Sequence, residues 1–245
     1  MKRYLMRRHC LVWGFVFGGL MMLAGVTQAY VLGPTTPGKW GTPTMGTGAT
    51  ITWSLMDTGV LCSSHCTGSN TSLADFMPAN FKDQLQLAFD AWSSVANLTF
   101  VEVADTGGTM GTSGQLGDIR IGGHTFDGAY GVLAHGYYPP NNGNTFAGDI
   151  HFDTAETWVD TFVGGGFSIF QVFAHELGHA LGLDHTAVAG SLMNPSYSEA
   201  FVGPQADDIA GMQYIYGAAP IAVPAPGTFI LLLSGLLGFI KFKRV

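Results

Sequence analysis

His175-Glu176-Leu177-Gly178-His179-Ala180-Leu181-Gly182-Leu183-Asp184-His185 is the stretch on which the reading of this chain turns, because it alone supplies a complete metal centre with a base beside it. Residues four apart on a helix lie one above the other, so His175 and His179 offer two imidazoles from one face. Gly182 is where such a helix stops, since glycine accepts the left-handed conformation that turns a chain back sharply. The turn returns His185 as a third ligand. Three neutral nitrogens suit zinc and leave its fourth position to water, whose pKa falls towards ~7; Glu176, next to a ligand, is placed to take that water's proton during attack on a carbonyl. A helix with two surface histidines and an ion-paired glutamate would explain His175-Glu176 and His179, but not the glycine and third histidine that follow.

Ser191-Leu192-Met193-Asn194-Pro195 comes shortly after the third histidine. With it, the pattern resembles the metzincins. In that clan Met193 would be the Met-turn, an apolar floor beneath the ligands that does not bind the metal.

The two ends read as address labels. Lys2, Arg3, Arg7 and Arg8 precede the apolar run Leu11 to Val26, and Thr27-Gln28-Ala29 offers the small residues that signal peptidase reads, so residues 1–29 form a signal peptide cut after Ala29. At the far end, within residues 218–245, Val223-Pro224-Ala225-Pro226 precedes the apolar stretch Phe229 to Ile240 and then Lys241, Lys243 and Arg244. This layout resembles the PEP-CTERM sorting tails of Gram-negative bacteria, with Ala225 in place of their usual glutamate. The resemblance implies recognition by an exosortase, passage through the inner membrane, and a destination in the periplasm, on the outer surface or in an extracellular matrix.

Once both ends are set aside, only Lys39, Lys82 and Arg120 remain against all seventeen acids, a balance of −14 with histidines neutral. Nucleic-acid binding is excluded on that ground, since it requires a positive surface to displace counterions. Acid-rich surfaces suit bound calcium instead. Cys10 leaves with the leader, and outside the cytoplasm Cys62 and Cys66 read as a local disulfide.

Between the ends, residues 30–217 read as one α/β domain. Tyr30-Val31-Leu32 opens it as an extended arm and Ile51 to Leu55 alternates as a strand. Phe81, Leu85, Ala88, Phe89, Trp92 and Val95 recur at three and four, an amphipathic helix within Asn80 to Ala96. Strands follow at Leu98 to Val103 and Asp118 to Ile121. The metal-bearing helix begins near Phe167 or Ser168, with Ser168 as N-cap, and a last helix runs from Ala206 to Tyr216, ended by Gly217. The segment between Met193 and Pro204 is expected to wall the pocket for a substrate side chain.

Excluding His9 and His65, every histidine outside the metal motif lies between His124 and His151. Gly131-Val132-Leu133-Ala134-His135 and Gly148-Asp149-Ile150-His151-Phe152-Asp153 resemble the segment of the matrixins, one metzincin branch, that wraps a structural zinc and calcium ions. Ala88 to Val95 likewise looks like the first matrixin helix. The resemblance implies a metzincin fold with a twisted, mixed five-stranded sheet, three helices and a zinc cleft between two subdomains. It implies His135 and His151, with His124, as ligands of a second, structural zinc, and Asp127, Asp153 and Glu156 as carboxylates of a calcium site. Matrixins place a histidine and an aspartate two apart in a longer loop before Phe126-Asp127-Gly128; here the loop is shorter and the fourth ligand is unassigned. The implied reaction is zinc-dependent hydrolysis of internal bonds in protein or peptide substrates. The resemblance further suggests that the ammonium of Tyr30, freed by signal peptidase, pairs with Asp207 or Asp208. A metal-stabilised surface- or matrix-binding protein on the same fold is the alternative, disfavoured because a scaffold needs neither a base nor an open coordination position.

Overall fold

Alternation of apolar and polar residues along residues 49–55, and a buried helical stripe on residues 81–95, give the two surfaces that must pack together: a sheet face and a helix. In the computed structural model, which describes residues 29–63, 66, 68–139 and 146–221, they do so. The signal-peptide reading up to Gln28 and the sorting-tail reading from Ala222 onward lie outside the described residues. The elements in chain order are β1 (Val31–Leu32), β2 (Ala49–Leu55), α1 (Phe81–Val95), β3 (Leu98–Glu102), β4 (Ile119–His124), β5 (Ala134–Gly136), β6 (Ile150–Asp153), β7 (Trp158–Val159), β8 (Phe167–Ser168), α2 (Ile169–Ala180), β9 (Leu183–Asp184) and α3 (Ala206–Tyr216).

Five strands form one mixed sheet in the order β3-β2-β4-β6-β5. All neighbours run parallel except β5, which lies antiparallel on β6 with His135 opposite His151. This is the five-stranded, three-helix metzincin arrangement. The core lies between the sheet and the helices. Leu85, Ala88, Phe89 and Trp92 of α1 are buried, and Phe89 meets Phe173 of α2 edge-on at 5.1 Å. Trp92 buries a polar N–H along with its rings and therefore needs an acceptor; it donates to the carbonyl of Ala174, 3.0 Å away. That bond ties α1 to the helix that carries the histidines.

The α2 helix starts as its sequence requires. Ser168 has extended backbone angles and its hydroxyl accepts the N–H of Gln171. At the other end, orphan carbonyls must be satisfied from outside the helix. The indole N–H of Trp40 donates to Ala180 O at 2.7 Å and the hydroxyl of Tyr216 donates to Leu181 O at 3.0 Å. The chain then reverses at Gly182, whose φ of 109° brings it against the carbonyl of Gly38, 2.2 Å from where a β-carbon would stand. No other residue fits there.

The α3 helix spans the expected residues, with a reciprocal capping box between Gln205 and Asp208. Cys62 and Cys66 form the expected disulfide, Cα atoms 5.3 Å apart. Cys62 belongs to a small satellite core with Met56, Val60, Met110 and Phe146. Among the described residues no helix is long and apolar enough to cross a membrane.

Candidate metal centre and pocket

A helix and one tight turn bring the three histidines of the motif together. His175 and His179 lie on adjacent turns of α2, and His185 follows β9. The Nε2 atoms of His175 and His179 stand 3.2 and 3.1 Å from Nε2 of His185. Nitrogens around a tetrahedral zinc at ~2.0–2.1 Å would be separated by ~3.3 Å, so the donor set fits that ion. The remaining ring nitrogens fix the tautomers. Nδ1 of His175 bonds to Leu192 O at 2.6 Å and Nδ1 of His179 to Leu183 O at 2.8 Å, which leaves both Nε2 atoms as lone-pair donors. Burial lowers the pKa of His175 to about 4 and of His179 to about 3, and the neighbouring imidazoles add to the depression. Neutral imidazoles are what a cation needs.

Glu176 is buried beside this triad. Burial pushes its carboxyl up to about 8, against a hydrogen bond from the Gly136 backbone that favours the charged form. A cation held by the adjacent imidazoles would act in the same direction as Gly136. The edge strand β5 thus serves the acid directly. Met193 lies underneath: a β-carbon at Gly178 would fall 2.4 Å from its sulfur, so glycine there lets the helix sit close on its methionine floor. The floor is anchored by Asp208, whose carboxylate accepts the hydroxyl of Ser191 and the backbone N–H groups of Leu192, Met193 and Gln205.

A cavity of about 420 Å³ opens against His175, Glu176 and His185. Val132 and Leu133 before β5, Val172 on α2, and Leu192, Tyr197 and Phe201 form the apolar part of a mixed lining, beside Gln171, Asn194, Ser196 and Ser198. The segment after Met193 does wall it, as its position in the sequence suggests.

The second histidine group also assembles. His124, His135 and His151, from β4, β5 and β6, bring one ligand atom each within 4.8 Å of one another. His135 Nε2 and His151 Nδ1 are 2.9 Å apart. His124 turns Nδ1 to the carbonyl of Thr125, and its Nε2 is buried with no partner among the described residues. Burial lowers its pKa, partly countered by Thr125 O and Asp153. Phe126 stacks on His135 at 4.7 Å. Such a donor set also fits a metal.

Asp127, Asp153 and Glu156 are not gathered in the same way. Among the described residues only the two histidine triads bring three such ligand atoms within 4.8 Å. Asp127 accepts the N–H of Val132, while Asp153 Oδ2 and Glu156 Oε1 are buried without partners among those residues. Sequence reasoning missed Gly136, Gly178 and the anchoring role of Asp208, all contacts between segments far apart in the chain.

A helix with two histidines, a third beyond a glycine turn and a methionine floor under a five-stranded sheet define a metzincin-type metal site. The matrixin family model matches residues 66–217, more than half of the chain, and the chain belongs to that family. It is 39% identical over 160 residues to matrix metalloproteinase-18 of Xenopus laevis, a match covering 63% of this chain and 33% of that protein. It is 36% identical over 212 residues to the hatching enzyme of Paracentrotus lividus, covering 79% and 32%, and 34% identical over 155 residues to karilysin of Tannerella forsythia, covering 60% and 30%. The chain spans about a third of the length of these curated relatives.

Proposed function

We propose that this chain is an exported zinc endopeptidase that hydrolyses internal peptide bonds with Glu176 as general base. The observation that carries the reading is the convergence of three imidazole nitrogens, 3.1 and 3.2 Å apart, on the mouth of a cavity where Glu176 is buried. Zinc bound there supplies Lewis acidity, polarising a carbonyl and making water nucleophilic near neutral pH. The chain's own residues do the rest. The Glu176 carboxylate takes a proton from the attacking water and passes it to the leaving amine. The edge strand β5 offers backbone groups to an extended substrate, and the cavity receives a side chain next to the cut.

Support for export comes from the leader and its cut after Ala29, and support for a sorting step through an exosortase at the inner membrane comes from the tail. A cut after Ala29 would create an ammonium on Tyr30. Asp208 is already committed to the methionine floor, whereas Asp207 Oδ2 is buried without a partner among the described residues. Tyr30 packs against Gly211 one turn along α3, and Ala29 O accepts the hydroxyl of Thr186. The ammonium therefore pairs with Asp207. The second histidine triad would hold a structural zinc, and Asp153 and Glu156, each with a buried carboxylate oxygen unpartnered among the described residues, would contribute with Asp127 to a calcium site.

Digestion of a mixed peptide library by the purified mature protein, beside Glu176→Ala and with and without a zinc chelator, tests the reading. Zinc-dependent cuts absent from the variant are expected. A folded, zinc-loaded protein that makes no cuts would favour the matrix-binding alternative. Sequencing of the exported protein should begin at Tyr30, and a start well downstream would remove the ammonium pair.

A further inference from the structure

The three imidazoles of the helix-borne site are not held equally. His175 and His179 are fixed twice, by the helix and by bonds from Nδ1 to the carbonyls of Leu192 and Leu183. His185 is exposed, stands off the helix, and its ring has no hydrogen-bond partner among the described residues except the two other imidazoles. A ligand without a ring acceptor must be oriented through its backbone. Its N–H donates to Asp184 Oδ1 at 2.7 Å, and the same oxygen accepts the hydroxyl of Tyr138 at 2.7 Å.

Tyr138 is itself wedged. One side of its ring meets His179 edge-on, centroids 5.5 Å apart. The ring also lies against Gly33, so closely that a β-carbon at that position would be 2.5 Å from Cδ1. The N-terminal arm that brings Gly33 there is bonded to the ligand turn. Val31 pairs with Asp184 in the β1–β9 ladder, and Gly33 N–H donates to Gly182 O at 2.8 Å. Beyond it, the hydroxyl of Thr35 donates to the carbonyl of Pro139.

We infer that Tyr138 is a positioning residue for the third metal ligand: its hydroxyl, held by the N-terminal arm against His179, fixes the Asp184 carboxylate that orients His185. The inference rests on the zinc reading given above. Outer partners of this kind typically change metal affinity by ~10–100-fold when removed. Tyr138→Phe deletes the hydroxyl and keeps the wedge, so the helix site loses zinc affinity while the packing around it stays.

The test is a competition titration of zinc against a chromophoric chelator, reading the binding phase that His185→Ala abolishes, with the visible spectrum of the cobalt-substituted protein as second readout. Tyr138→Phe and Asp184→Ala should each weaken that phase by ~10-fold or more, the pair together little more than either alone, and both should alter the cobalt bands. Asp184→Asn keeps an oxygen acceptor and should stay within ~3-fold of the parent, which separates orientation from simple attraction of the carboxylate for a cation. An unchanged affinity and cobalt spectrum in Tyr138→Phe would overturn the inference. So would an Asp184→Asn as weak as Asp184→Ala. A parent protein that takes up no zinc in the phase assigned to His185 would instead overturn the zinc reading itself.

Discussion

Two histidine triads sit within one domain, and the proposed function assigns them opposite work. The helix-borne triad, His175, His179 and His185, opens onto a cavity of about 420 Å³ and has an acid at its side. The strand-borne triad, His124, His135 and His151, lies under Phe126, and the acid nearest in the ladder, Asp153, is buried opposite His124. Open coordination beside a base serves catalysis, while an enclosed ion serves the fold. The same three imidazoles thus mean different things according to what else reaches them.

The sharpest way to break this comparison is to remove one ligand from each triad. His179→Ala should take peptide hydrolysis below detection and leave the circular dichroism spectrum of the folded protein intact. Activity surviving that change would mean that the wrong triad has been assigned the chemistry.

A buried pair on the strand that carries His124 provides the control for a cation site filled by the protein itself. Arg120 of β4 and Asp105 meet at 2.8 Å with both side chains almost fully buried. Burial raises the Asp105 pKa, but hydrogen bonds from Arg120, Gly107 and Ser54 outweigh it and hold the carboxyl below its ordinary value. A depressed folded-state pKa contributes stability that is present above the unfolded value of ~4 and lost as pH falls through the folded one. Asp105→Asn should cost ~3–5 kcal/mol at neutral pH, because it leaves Arg120 buried without its counter-charge. In urea titrations the gap between the two proteins should narrow below pH ~4.

His151→Ala comes next. A native-state ion present at 1,000 times its dissociation constant stabilises by ~4 kcal/mol, so the variant should melt ~10 °C lower in zinc buffer. The parent should lose about as much in chelator. Equal melting of parent and variant in zinc would remove the structural ion from the account.

The smallest expected effect concerns the start of the ligand helix. Ser168→Ala removes the hydroxyl that accepts the Gln171 N–H, and should lower stability by ~1 kcal/mol with zinc affinity nearly unchanged.

What was legible in the sequence is what short spacing encodes. His175 and His179 are four apart on a helix, Gly182 marks its end, and Cys62 and Cys66, four residues apart, pair as the expectation of export suggested. The limits of α1 and α3 followed from periodicity, N-terminal acids and a terminal glycine. The contacts that organise the site were not legible, because each joins segments far apart in the chain. Asp208 was a candidate for an N-terminal ion pair and turned out to hold the methionine floor through Ser191, Leu192 and Met193. Strand β5, three residues long, carries no periodicity of its own, yet its register on β6 brings Gly136 to Glu176 and His135 to His151. Tyr138 reads as one aromatic among many until its hydroxyl is seen on Asp184.

The most direct measurement is the turnover of one defined peptide by zinc-loaded Glu176→Gln, with zinc content determined on the same sample. Substitution keeps the shape of the side chain and removes the base. Turnover should fall by ~10²–10⁴-fold while the zinc content matches the parent's. Full turnover in a zinc-replete variant would contradict the assignment of the proton transfer to Glu176.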